Sequence, residues 1–363
     1  MKKLVIISFA AVAALAACTK VENTTFDEEH PITFNVVSYQ QQTRANSAYS
    51  VADVFGTFAY WTATDWATDG DANVFMDNEK IVYGPSYALG EWGPENKYYW
   101  TKTGAITFAS YSPYVSGAEK GFSAVPFHSK SSGFRFPAYT IQDATNVDVM
   151  VADLRADQTA NAPEYTLSSN SDGVPTLFRH VLTQVAIQFK VTANHNANVD
   201  GSEVVLHEVK ITDIKNKGDY TQTASPVWTG QTGAVEYEFN PATGNDITMV
   251  STATEPYKPQ VESRILLPQD LLATDTVLGV AGQKLEVSYT IRTHYKSQPA
   301  GTWAEENVSS VIDLTSTAIP SWSPNMSIVY NITLSPFSDV PVLFDPAIAP
   351  WTSVEGSFTV YPD

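Results

Sequence analysis

The 363-residue chain holds one cysteine, six histidines, 39 acidic side chains and 21 lysines and arginines. These are the groups able to carry covalent, proton-transfer or metal chemistry, and their spacing favours none of the three. His30, His128, His180, His195, His207 and His294 fall at no metal-ligand spacing such as His-x-x-x-His. The chain has no Gly-x-Ser-x-Gly elbow and no phosphate loop. Asp69-Gly70-Asp71-Ala72-Asn73 starts like a calcium loop, but Val74 and Lys80 stand where that loop requires Gly and Glu, so it reads as a polar turn. His180 beside Arg179 reads either as a proton donor or as a hydrogen-bonded core histidine, and burial statistics favour the second. Trp61, Trp66, Tyr98, Tyr99 and Trp100 present faces for sugar stacking or, as the default in an aromatic-rich β protein, for packing. We therefore expect no enzymatic activity, no cofactor and no metal.

Two residues stand out for what could be done to them. Met1-Lys2-Lys3 and the apolar run Leu4 to Ala14 form a secretory leader, since the run is too short to span a bilayer, and Leu15-Ala16-Ala17-Cys18 resembles a bacterial lipobox. Cys18 is the only thiol, so it has no disulfide partner in the chain and is the expected site of lipidation. Arg44 is the only Lys or Arg between Lys20 and Lys80 and lies in the polar stretch Gln40 to Ser47, which suits an extended protease cleft. A trypsin-like enzyme cutting between Arg44 and Ala45 would part Ile32 to Val37 from the rest, although a loop arginine is more often only solvated.

The elements that must position these residues read as strands. Ile32, Phe34 and Val36 alternate on one face, and similar period-2 runs cover Val54 to Trp61, Ile106 to Tyr111, Val185 to Val191, Val204 to Ile214, Val235 to Phe239, Leu285 to Ile291 and Ile328 to Leu334. Turn-forming clusters separate them, which predicts antiparallel strands with one wet face. His180 to Phe189 fits a helical stripe as well as a strand, with its second half read as strand. The polar segment Thr159 to Pro175 is the expected boundary between two β-sandwich-sized units.

Composition agrees with an all-β fold. Charged residues are only 17% of the chain, while 17 Phe, 8 Trp and 18 Tyr suit pleated surfaces and 19 Gly with 21 Pro supply turns. The formal charge of −18 argues against nucleic-acid binding and against charge-driven attachment to anionic lipid.

Several stretches, in order, carry a family resemblance. They are the lipobox, Pro31 to Phe34, Thr43-Arg44-Ala45, Phe108 to Tyr114, Asp148 to Ala152, Val174 to Leu182, Leu266-Leu267-Pro268-Gln269, Trp322 to Asn325, Tyr330 to Leu334, Phe344 to Ile348 and Trp351. Together they resemble the fimbrillin family, the lipoprotein pilins of type V pili. Asn325 departs from the family's usual Gly, and Pro350 precedes Trp351.

The resemblance implies two tandem transthyretin-like antiparallel β-sandwiches behind a lipoprotein signal peptide. Expected bounds are 1–17 for the signal peptide, 18–44 for a propeptide carrying the first strand, 45–172 for the N-terminal sandwich and 173–363 for the C-terminal one. It further implies that an Arg-specific surface protease cuts after Arg44, that the strand bearing Ile32, Phe34 and Val36 leaves, and that a C-terminal strand of the next subunit fills the groove. Candidate donors are Val342 with Phe344, and Phe358 with Val360. The implied partners are other pilus subunits, that protease, the outer membrane through the lipid anchor, and a host protein or glycan, at the cell surface in a fimbrium. The competing reading is a surface glycan-binding lipoprotein that does not polymerise, for which Arg44 has no role.

Overall fold

A computed structural model describes residues 26–39, 46–142, 146–160, 173–222, 227–239, 246–250, 258–259, 263–274, 281–316 and 319–349. Cys18, Arg44, Ala45, Phe358 and Val360 lie outside these residues.

Among the described residues the regular structure is almost entirely strand, with single helical turns at Trp66–Asp69 and Leu314–Ser316. In order the strands are β1 (Phe26–Pro31), β2 (Phe34–Tyr39), β3 (Asn46–Ala48), β4 (Phe55–Thr62), β5 (Val74–Tyr83), β6 (Trp92–Pro94), β7 (Tyr99–Thr101), β8 (Ala105–Ser112), β9 (Phe127–Ser129), β10 (Gly133–Thr140), β11 (Met150–Ala152), β12 (Arg155–Gln158) and β13 (Val174–His180). Then follow β14 (Thr183–Val191), β15 (Val199–Ile214), β16 (Lys217–Thr221), β17 (Val227–Thr232), β18 (Val235–Glu238), β19 (Ile247–Val250), β20 (Lys258–Pro259), β21 (Arg264–Leu266), β22 (Lys284–Tyr295), β23 (Ala304–Asp313), β24 (Met326–Leu334) and β25 (Leu343–Ile348). The ambiguous stretch His180 to Phe189 is strand throughout its second half, with Val185, Ile187 and Phe189 all buried.

The first sheet closes on itself. Its order is β11-β13-β2-β6-β5-β4-β8, and β11 pairs with β8 as well as with β13, so no stave of this ring is left as an edge. Inside it sit Ile32, Phe34, Phe55, Phe75, Trp92, Phe108, Val174 and Phe178. β13 lies beyond the polar boundary segment, where the sequence reading starts the second unit, yet its partners are β2 and β11 of the first sheet.

Residues 183–349 contribute two five-stranded sheets, β20-β14-β24-β25 with β21 on β14, and β18-β15-β22-β23 with β19 on β15. Alternate residues of β14, β15, β22 and β24 (among them Phe189, Leu206, Tyr289 and Tyr330) join one core cluster, as a sandwich requires. Two pairings depart from the antiparallel expectation: β13 with β2, and β14 with β24 along its whole length, are parallel. Parallel neighbours need a long connection, and each pair here is separated by more than a hundred residues of chain.

The two parts interlock. β16 pairs with β10, giving a sheet of order β17-β16-β10-β9 that lies partly in each. Phe136 stacks on Tyr220 at 4.8 Å, and Trp228 Nε1 donates to Val181 O at 2.7 Å. Leu266-Leu267-Pro268-Gln269 forms a buried bracket, with Gln269 Oε1 accepting from Lys215 N at 3.0 Å. Trp322 Nε1 donates to Tyr330 Oη at 2.8 Å. Asn325 has φ of 61°, the left-handed region, so the turn tolerates Asn in place of Gly.

His128, on β9, is wedged among Phe58, Tyr60, Trp66 and Phe134, with Tyr60 Oη 3.0 Å from its Nδ1. Burial pushes the imidazole down to about 4. The folded state therefore holds fewer protons than the unfolded one as pH falls from the ordinary histidine value, and stability drops through that window. We expect His128 to cost the fold about 3 kcal/mol between pH 6.5 and pH 4. Chemical denaturation across this range should show a smaller loss for His128→Gln than for the parent.

Candidate functional site

The site is the slot that β2 occupies. Alternation sends Ile32, Phe34 and Val36 inward, where they are 0%, 3% and 9% exposed. Phe34 meets Phe55 and Phe108 edge-on, with ring centroids 5.7 and 5.6 Å away. Burying three such side chains contributes roughly 5–8 kcal/mol, which is also the apolar exposure left if β2 departs.

β2 is paired on both edges. Phe34 through Ser38 pair in parallel with Val174 through Phe178 of β13, while the other edge is shared between β6, at Phe34 with Trp92, and β3, at Val37 to Tyr39. Just before β2, Ile32 N donates to Tyr98 O at 2.9 Å, and Val174 N donates to Thr33 O at 2.8 Å. Departure of β2 would uncover a ladder edge on β13, a row of donors and acceptors that templates the pairing of another strand.

Gly173 makes the close approach possible. A Cβ there would lie 2.9 Å from Phe34 C and 3.0 Å from Asn35 N, both backbone atoms that cannot move aside. Gly173→Val should therefore push β13 off β2 and lower intact-chain stability by about 1–3 kcal/mol, read by thermal unfolding.

β2 pairs through Val37 to Tyr39 with Ala48 to Asn46 of β3, so the residues that connect the two strands include Arg44 and Ala45. A cut there severs β2 from everything that follows. Tyr49 then anchors the remaining chain: it is 5% exposed, its Oη lies 2.6 Å from Ser112 Oγ, and its ring stacks on Phe178 at 5.1 Å. Sequence reasoning missed Tyr49, and also β13 as the neighbour of β2. The alternation of Val174, Thr176 and Phe178 was the available signal for the second.

At the other end, β25 is, among the described residues, the outermost strand of its sheet and pairs only with β24. Leu343 and Ile348 are 59% and 50% exposed. Phe344 stacks on Tyr330 at 4.8 Å and, with Val342, covers the core only partly. Such a strand is held by one ladder, whereas β2 is paired on both of its edges.

The remaining candidates are structural. The Asp69 carboxylate accepts from Thr64 N and that of Asp71 from Lys130 N, at 2.9 and 2.8 Å. Asp69 is held below the ordinary carboxylate range by its bond from the Thr64 amide. Arg179 grips Asp153 through two bonds of 2.8 and 2.9 Å, and buried His180 places Nδ1 2.8 Å from Asp148 Oδ2. Trp61 and Trp100 pack against the barrel core, and Trp66 rests on Tyr60.

Comparison with known proteins agrees with this architecture. Residues 43–351 match the model of the fimbrillin-like family. The chain is 28% identical over 225 residues to the fimbrium subunit Fim1C of Phocaeicola vulgatus, a match covering 58% of each, so it spans under two thirds of the length of that curated relative. A crystal structure of a fimbrial protein from Bacteroides vulgatus superposes with a TM-score of 0.57 at 20% identity, covering 89% of this chain and 99% of that one, which shows a shared fold. Since the family match takes in most of the sequence, the chain belongs to the fimbrillin-like family.

Proposed function

We propose that this chain is a structural subunit, shaft or tip, of a type V pilus serving cell adhesion. It is exported as a lipoprotein acylated on Cys18, held at the outer membrane, cut after Arg44 by an Arg-specific surface protease, and joined to other subunits by β-strand exchange. The supporting observation is that β2, which buries Phe34 and Val36 and pairs along β13, lies wholly on the amino-terminal side of the Arg44 bond. The family match begins at residue 43 and so leaves β2 outside it.

In this mechanism the intact precursor is inactive because its own β2 fills the slot. Cleavage turns a tethered strand into a free peptide, and the exposed β13 edge with its apolar floor then takes a strand from a neighbour. Val342 just before the edge strand β25 and Phe344 on it, or Phe358 and Val360 beyond it, supply the incoming apolar residues. Limited trypsin treatment of the purified, unlipidated chain tests this, read by light scattering and negative-stain microscopy. Release of the segment ending at Arg44 followed by filament growth is expected. A clipped body that stays monomeric at high concentration rejects strand exchange.

A further inference from the structure

The second sandwich carries a cleft that strand exchange does not use. β14 starts at Thr183, just past β13 of the first barrel, and ends at Val191, beside which Thr192 N donates to Leu334 O at 2.9 Å. At this far end a cleft of about 390 Å³ opens between the loop after β14, the hairpin joining β22 to β23 and the loop after β24. Six side chains set its chemistry: Asn194, Thr293, Tyr295, Glu306, Phe337 and Asp339. Thr293 is buried, whereas Tyr295, Glu306 and Asp339 are exposed.

The walls are held in shape by their own hydrogen bonds. Asn196 N donates to Asn194 Oδ1 at 3.0 Å, Phe337 N to Ser335 Oγ at 3.1 Å, and Tyr295 N to Gln298 Oε1 at 3.3 Å. A pre-set cleft spends less of its binding energy on ordering loops.

Charge and polarity narrow the ligand. No lysine or arginine lines the cleft, and Arg292 behind its wall is already paired with Glu305 and Glu203 at 2.9 and 2.7 Å, so a phosphate or an acidic sugar meets the carboxylates of Glu306 and Asp339. An apolar ligand would strip water from Glu306 and Asp339 and return nothing to them. Among the described residues no group of three or more His, Cys, Asp or Glu is placed to hold a metal ion. A ring bearing several hydroxyls fits all the features together: carboxylates accept from neighbouring hydroxyls, an amide NH₂ donates, and an aromatic ring takes the C–H face. The cleft is also within the size range of small-ligand pockets.

The geometry points to a binding site for a neutral saccharide at the far end of the second sandwich, walled by Asn194, Thr293, Tyr295, Glu306, Phe337 and Asp339. This site does not depend on the assembly reading, and its test leaves that reading untouched. Saturation-transfer NMR of the full chain is run against galactose, mannose, N-acetylglucosamine and lactose, with sialyllactose and lysine methyl ester as charged probes. At least one neutral sugar should receive magnetisation, more than lysine methyl ester, whose ammonium the exposed carboxylates also attract, and sialyllactose should receive less than lactose because its own carboxylate faces Glu306 and Asp339. Asp339→Ala should weaken that sugar by about tenfold, as expected for a lost hydrogen bond to a charged acceptor. Tyr295→Ala should also lose it and Tyr295→Phe should keep it, since the ring face carries the contact. Both side chains are exposed, and unchanged thermal unfolding of the variants checks that they fold. The site is overturned if none of the four neutral sugars receives magnetisation, if transfer survives both Asp339→Ala and Tyr295→Ala, or if lysine methyl ester alone binds.

Discussion

Arg44→Ala protein treated with trypsin is expected to keep β2 joined to the body and to form no polymer above the untreated control. The reason is competition between a tethered strand and a free one. While the chain is intact, β2 is linked to β3 and Tyr49 and competes for its slot at an effective concentration on the order of millimolar. A donor strand from another molecule is far more dilute and loses. Once the Arg44 bond is cut, the tether is gone and a released β2 diffuses away. Arg44 is the only trypsin site between Lys20 and Lys80, and Lys80 is embedded in β5 with its Nζ 3.1 Å from Glu95 Oε1. Size-exclusion chromatography with mass analysis of the trimmed products checks both parts of the expectation.

Phe34→Ala should produce opposite effects before and after processing. In the intact chain Phe34 is 3% exposed and touches Phe55 and Phe108, so its truncation should cost about 3–5 kcal/mol, read by denaturant unfolding. After the cut, the same loss weakens only the grip of the slot on the departing strand. Release of β2, and assembly with it, should then be about a hundredfold faster than in the parent. The finished polymer should be as stable as the parent polymer, because the altered residue is no longer present. A substitution that weakened precursor and polymer alike would mean that β2 stays in the fibre.

The sequence reveals the faces of strands better than their neighbours. Alternation at Ile32, Phe34 and Val36 was enough to send those side chains into a core, because period 2 is a property of the strand itself. It carried no information on the partner, and β2 finds its longest ladder on β13, far along the chain and parallel. The polar stretch before Gly173 looks like a linker, yet the barrel takes a further stave from beyond it, so β13 sits with the strands that precede the linker. The sheet uniting β10 with β16 was illegible for a similar reason, since each strand has a local hairpin partner, while the ladder between them and the stack of Phe136 on Tyr220 join residues some eighty positions apart. Asn325 was visible as an odd residue in a family turn, and its left-handed backbone supplies the physical reason why Gly is usual and Asn is tolerated. Tyr49 gave no signal, because a lone aromatic between polar residues reads as surface until its stack on Phe178 is seen.

Mass spectrometry of filaments sheared from the cell surface tests the central claim most directly. Strand exchange into the β2 slot predicts subunits that begin at Ala45 and contain no peptide from Phe26 to Tyr39. Filament subunits that retain that peptide, still joined to an acylated Cys18, would contradict it.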